Sequence, residues 1–255
     1  MAPQNKNIKD LCMLLLDIGS ALMSSGANTK RMQTTIKRIS GRFGYNSELM
    51  VTHRSILLTL NDIETDQFFS SGKFSPPHGV NFKMISGISR MSWSVVDENW
   101  ELEQVREEFD RLTALPHYPR WLVLVLVSLA GSAFCRLFEG SYIEMAVAFT
   151  ATFAGLFIRQ EATKLNFNPF LCIFFASLVS SLIAGLFVKL NIGNNPEAAL
   201  STSVLYLIPG VPLINSFSDM IDGNILNGTV RGVFGIMISF SIALGLLIAI
   251  MIYQI

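Results

Sequence analysis

The sequence predicts an α-helical integral membrane protein of five transmembrane helices, the fourth broken at Pro209-Pro212, with a small α+β domain at its amino terminus. Three observations carry this expectation. Hydrophobic residues make up 51% of the 255 and charged residues 15%, against roughly 45–50% and about 25% in soluble domains. The charges are unevenly placed: residues 1–119 hold 13 of each sign, residues 120–255 only six of each. The charge-poor part contains uncharged runs of 24, 21 and 24 residues, at 165–188, 198–218 and 232–255, and a helix needs about 20 mostly apolar residues to cross a bilayer core. A net charge of zero argues against a basic nucleic-acid binder and an acidic disordered tail. Cys12, Cys135 and Cys172, odd in number and far apart, argue against a disulfide scaffold.

The chain opens on a polar stretch, and the apolar patch at 11–16 is short and followed by Asp17. That is not the pattern of a cleaved signal peptide, so a domain of residues 1–119 is expected to stay in the cytoplasm. Leu11, Leu14, Leu15, Ile18 and Leu22 recur at helical spacing. Gly26 ends that helix, and Asn28 or Thr29 caps the next. Met32, Ile36, Ile39 and Phe43 form the second helix's apolar stripe. Lys30, Arg31, Lys37, Arg38 and Arg42 make its other face, which reads as a solvated surface or as a contact for anionic lipid or a partner. Residues 49–51 and 56–60 read as strands, Asn61-Asp62 as a turn and 71–79 (SGKFSPPHG) as a loop. Leu102, Val105, Phe109 and Leu112 mark a last helix opened by Asp97. Pro116 and Pro119 stop it and lead to Trp121, an interfacial anchor.

Residues 120–255 form the transmembrane domain. Its spans are expected at about 120–138, 141–159, 168–189, 198–216 and 231–253, because none of these segments keeps the charged side that a soluble amphipathic helix shows to water. Arg120, Arg159, Lys164 and Arg231 fall on the side of the amino terminus and Lys189 at the edge of the other. This bias puts the amino terminus in the cytoplasm and the carboxyl terminus outside the plasma membrane. Ala176, Ser180 and Ala184, beside Ser177, Ser181 and Gly185, form ridges of small residues that let helices approach closely and also suit a subunit interface.

The candidate site lies in the fourth span. Pro209, Gly210 and Pro212 interrupt an apolar segment. Proline removes a backbone donor and clashes with the preceding turn, at about 3 kcal/mol in a helix, and in lipid the freed backbone groups need protein, water or ligand. A half-helix beginning near Pro212 would aim its free N–H groups at an anion such as a carboxylate. Asn215, Ser216 and Asp219 follow on the same piece. The alternative is a proline kink used only for packing. Asp219, Arg136 near the end of the first span and Glu144 near the start of the second are candidates for charge coupling, the last two either paired with each other or snorkelling to water. Signs of catalysis are scant: no nucleophile elbow, phosphate loop or metal-ligand spacing occurs. His53, His78 and His117 are scattered through a strand, a loop and a linker, and T-H-R-S at 52–55 is the nearest approach to a Ser–His pair. No cofactor or metal is expected. Rival readings are a membrane-anchored sensor whose amino-terminal domain binds a ligand or partner, and an enzyme.

The segments Ser25-Gly26-Ala27-Asn28-Thr29, Tyr118-Pro119-Arg120-Trp121-Leu122, Phe134-Cys135-Arg136-Leu137, Ile158-Arg159-Gln160 and Leu207-Ile208-Pro209-Gly210-Val211-Pro212-Leu213-Ile214-Asn215 resemble the threonine/serine exporter (ThrE) family, in particular its shorter, YjjP-type members. The resemblance covers almost the whole chain and is most specific from Pro209 through Asn215, Asp219, Gly228 and Arg231. It implies a cytoplasmic domain followed by five spans, acting in secondary export of a small metabolite: threonine and serine for the longer members, succinate for the shorter ones. It further implies that the second block of membrane helices found in longer members is supplied here by a separate small membrane protein of YjjB type.

Overall fold

The computed structural model describes residues 3–62, 67–76, 79–116 and 118–255, with backbone alone for residues 3–7. In chain order the elements are α1 (Pro3–Ser24), α2 (Thr29–Arg42), β1 (Tyr45–Val51), β2 (Ser55–Asp62), β3 (Phe68–Phe74), α3 (Phe82–Asp97), α4 (Leu102–Thr113), α5 (Arg120–Leu137), α6 (Tyr142–Lys164), α7 (Pro169–Lys189), α8 (Pro196–Ser203), a 3₁₀ turn (Leu205–Leu207), α9 (Gly210–Ile221) and α10 (Ile225–Tyr253). The chain divides into two compact units: Met1–Pro116 with Val211–Gly232, and His117–Gly210 with Val233–Ile255.

In the first unit, the predicted stripe of α1 is the centre of the core. Leu11, Leu14, Leu15, Ile18 and Leu22 are buried together with Met32, Ile36 and Ile39 of α2. Burial pushes the Cys12 thiol of this core up to about 11, because an apolar surrounding disfavours the thiolate. Gly26 adopts φ +88°, a backbone region open to glycine at little cost, and so closes α1. The Asn28 side chain then caps α2 by accepting from the Arg31 N–H at 3.0 Å. The sheet is antiparallel in the order β1-β2-β3, with Val51 opposite Ile56 and Ser55 opposite Phe74. Alternation decides its faces: Ile56, Leu58 and Leu60 are buried, while Leu57 points outward.

Several expectations are corrected here. Asn61 and Asp62 are not a turn but the last residues of β2, paired with Asn46 and Tyr45. The first half of the expected 71–79 loop is β3. His53 lies not on a strand but in the tight connection between β1 and β2, where the Thr52 and Ser55 hydroxyls contact each other at 2.8 Å. His78 and His117 lie outside the described residues. Asp97 ends α3 rather than opening α4, whose first turn is closed by the Glu101 N–H donating to Gln104 at 2.8 Å. The basic face of α2 is also partly committed: Arg38 lies 3.7 Å over the Trp93 ring and donates to Ser92, and Arg42 donates to the Asn99 carbonyl.

In the second unit α6 packs against α5, α7 and α8. Both small-residue ridges of α7 are buried, and the Ser177 hydroxyl reaches across to the Ile242 carbonyl of α10 at 2.8 Å. Helices α5, α6, α7 and α10 are each long and apolar enough to cross a membrane, and α8 with the 3₁₀ turn and α9 make a fifth if that broken pair is one span. The protein is thus a mostly helical, multi-pass membrane protein with a small antiparallel sheet near its amino terminus. The last span starts at Ile225, six residues before its expected start at 231.

Candidate functional site

The break in the fourth span lies at Ile208-Pro209, between the 3₁₀ turn and α9. Pro209 is buried, and the Gly210 N–H turns back to the Ile208 carbonyl at 2.9 Å. The second half-helix starts at Gly210, so Pro212 falls inside its first turn. The first four N–H positions of a helix have no acceptor within it. Gly210 is taken by Ile208, and Pro209 and Pro212 have no N–H, so the first turn leaves the Val211 amide to a partner outside α9.

Further along α9 the polar residues leave the apolar pattern and meet the α1–α2 connection, all within the first unit. The Asn215 amide donates to the Gly26 carbonyl at 2.8 Å. Asp219 is fully buried. One of its oxygens accepts from the Thr29 N–H at 2.8 Å, so the carboxylate sits at the amino terminus of α2, where the helix dipole favours negative charge. Its other oxygen lies 3.2 Å from Nη1 of Arg231, without hydrogen-bond geometry. Nη2 of Arg231 donates to the Ala27 carbonyl at 3.0 Å. Lys30 pairs with Asp222 at 2.7 Å, the Asn227 amide donates to the Val51 carbonyl at 2.9 Å, and the Ser216 hydroxyl donates to Gly228 at 2.6 Å. Residues 26–30 and the polar residues from Asn215 to Arg231, nearly 200 residues apart in sequence, therefore form one cluster around a buried aspartate.

Sequence reasoning missed Thr29 and Arg231 as members of this cluster. Arg231 reads as a loop charge, yet its side chain is only 18% exposed because it turns onto Asp219. The available signal was a pair of acids, Asp219 and Asp222, and a base, Arg231, on either side of the Gly223-Asn224 turn between two apolar segments.

The second unit places Arg136 and Glu144 apart in role. Arg136, in the last turn of α5, is exposed and donates to the Gly140 carbonyl at 3.2 Å. Glu144 is 1% exposed. Its carboxylate accepts from the Ser141 N–H at 2.8 Å, from the Ser141 hydroxyl, and from the Asn195 N–H at 2.7 Å. Gly193, at φ +107°, lies against that carboxylate where any Cβ would collide with it. Among the described residues the two do not form an ion pair. Glu144 instead ties the start of α6 to the loop before α8. Ser141-x-x-Glu144 is a capping box, a pattern that is legible in the sequence. The Tyr206 hydroxyl meets Ser180 at 3.2 Å, and the Ser181 hydroxyl is buried without a hydrogen-bond partner among the described residues.

The chain matches the ThrE family model, described as "Putative threonine/serine exporter", over residues 13–253. It is 26% identical to "Probable succinate transporter subunit YjjP" of Escherichia coli (strain K12), over 98% of this chain and 97% of that protein. It is 22% identical to "Threonine/serine exporter" of Corynebacterium glutamicum over 84% of this chain but 45% of that longer protein. It is 23% identical to "Pheromone-regulated membrane protein 10" of Kluyveromyces lactis over 91% of this chain and 25% of that one. No solved structure matches the chain. With a family match that runs nearly end to end and includes both segments of the Asp219 cluster, the chain belongs to the ThrE threonine/serine exporter family.

Proposed function

We propose that the chain is a subunit of a secondary transporter that exports a small carboxylate-bearing metabolite, threonine or serine or a dicarboxylate such as succinate, across the plasma membrane. The observation that carries this reading is a buried aspartate, Asp219, ten residues after a proline break in a candidate span. Broken helices at membrane depth expose backbone groups that bind substrates and ions. A buried acid held beside a base next to such a break is suited to charge coupling. In this reading the Val211 amide meets the substrate carboxylate, and Asn215 contributes the part of its amide that Gly26 leaves free. Loss of the negative charge at Asp219, as in Asp219→Asn, would weaken both its contact to Arg231 and its hold on the Thr29 N–H, loosening α9 from the α1–α2 connection. Arg136 and Glu144 take secondary places in charge coupling, since Glu144 is already held by the Ser141 and Asn195 amides and Arg136 by the Gly140 carbonyl.

The partner is proposed to be a small membrane subunit of YjjB type, in keeping with relatives named as subunits. The amino-terminal residues 1–119 are placed in the cytoplasm on the charge bias of Arg120, Arg159 and Lys164 over Lys189. The test is efflux of labelled succinate, serine and threonine from cells carrying Asp219→Asn or Pro212→Ala, with membrane levels measured in parallel. Efflux at the level of cells lacking the protein, with normal membrane levels, is expected. Wild-type efflux in both variants would remove the site from consideration.

A further inference from the structure

Within the second unit, a groove of about 410 Å³ lies between the start of α5 and the end of α6. Its polar wall carries Arg120, Arg159 and Lys164, and its apolar floor includes Val123 and Leu156. One acid, Glu161, stands nearby, and it is shared: it contacts Arg120 and lies 3.4 Å from Lys164. Arg120 also donates to Gln160 and faces the Phe157 ring at 5.3 Å. Arg159 is different. It is half-buried, and among the described residues its guanidinium makes no ion pair and no hydrogen bond, although its charge acts on the Tyr206 hydroxyl. Among the described residues the groove therefore holds an excess of two positive charges and one guanidinium without a hydrogen-bonded partner.

The surroundings of the groove are those of a lipid boundary rather than of water. Tyr118 and Trp121 are 72% and 64% exposed, and Trp121 begins a row of stacked rings with Phe153 and Phe149. Leu122, Val125, Leu126 and Leu129 continue the exposed apolar surface along α5. Aromatic side chains favour the headgroup level of a bilayer. A guanidinium matches the paired oxygens of a phosphate.

We propose that this groove binds the phosphate of an anionic phospholipid, with Arg159 as its principal contact, Lys164 as a second charge, and the acyl chains along Val123 and Leu156. The occupant is a membrane lipid and not a soluble anion, because the cationic wall continues directly into exposed apolar surface. The site does not depend on which metabolite the protein carries.

The test uses the full-length protein in mixed micelles, with binding of phosphatidylglycerol and phosphatidylcholine measured by native mass spectrometry. Phosphatidylglycerol is expected to bind several-fold more tightly. Arg159→Gln should lower its affinity about fivefold, as expected for one basic residue near an anionic surface, and leave phosphatidylcholine binding unchanged. Lys164→Gln, at a largely exposed position, gives a second reading should the first variant fold poorly, and Arg159→Lys should retain part of the preference. Equal binding of the two lipids by the wild type, or an unchanged preference in both neutral variants, would overturn the proposal. Displacement of the lipid by inorganic phosphate or succinate at equal concentration would also overturn it, by assigning the groove to a soluble anion.

Discussion

Asp219 and Arg231 show what a single pair of residues costs and supplies inside an apolar segment. The carboxylate is fully buried, and its partners are one backbone amide and one guanidinium. Removing one member of such a pair leaves an uncompensated charge and costs about 3–5 kcal/mol in fully buried cases. Arg231 retains some exposure, so Arg231→Gln is expected to cost somewhat less, roughly 2–3 kcal/mol, read as a lower melting temperature in detergent. The double variant Asp219→Asn, Arg231→Gln should be more stable than the sum of the single losses predicts. Strict additivity would mean that the two charges do not interact. At this scale the sequence was only partly informative. It marked Asp219 and Asn215 as polar residues where apolar ones were expected, but their partners Thr29 and Gly26 come from the other end of the chain and no local pattern links them.

Elements were legible where one physical signal dominated and obscure where two competed. The long membrane helices follow from absence of charge, and α5 and α7 end within a residue or two of their expected bounds. The α1 and α2 stripes follow from spacing, and every predicted α1 core residue is buried. By contrast, β3 reads FFSSGKF, whose Ser-Ser-Gly run carries loop propensity. Its pairing with β2 overrides that preference. Helix α3 was missed although Ile85, Ile88, Met91 and Val95 are spaced for one buried face, because serine and glycine between them dilute the pattern. The α2 cap tests the local reading. Asn28→Ala should cost about 1 kcal/mol in thermal melting, with the Asp219 contact to the Thr29 N–H limiting the damage to one lost bond. A neutral outcome would show that Asp219 alone closes the start of α2.

For the whole molecule, the family match fixes membrane transport as the setting, while orientation rests on the proposed charge bias. With the carboxyl terminus outside, single cysteines at Glu139 and Asn191 should react with an impermeant maleimide in intact cells, and one at Asn166 only after permeabilisation. All three positions are in exposed connections between helices. The reverse labelling pattern would invert the assignment of Arg120, Arg159 and Lys164 to the cytoplasmic side. The central claim is that this chain, with a small membrane partner, moves a carboxylate-bearing metabolite by way of the segment from Pro209 to Asp219. The most direct measurement is counterflow of labelled succinate, serine and threonine into liposomes containing both subunits. Uptake of at least one of the three by the wild type, lost in Asp219→Asn, is the predicted result; no counterflow of any of them, or full activity of the Asp219→Asn protein, would contradict it.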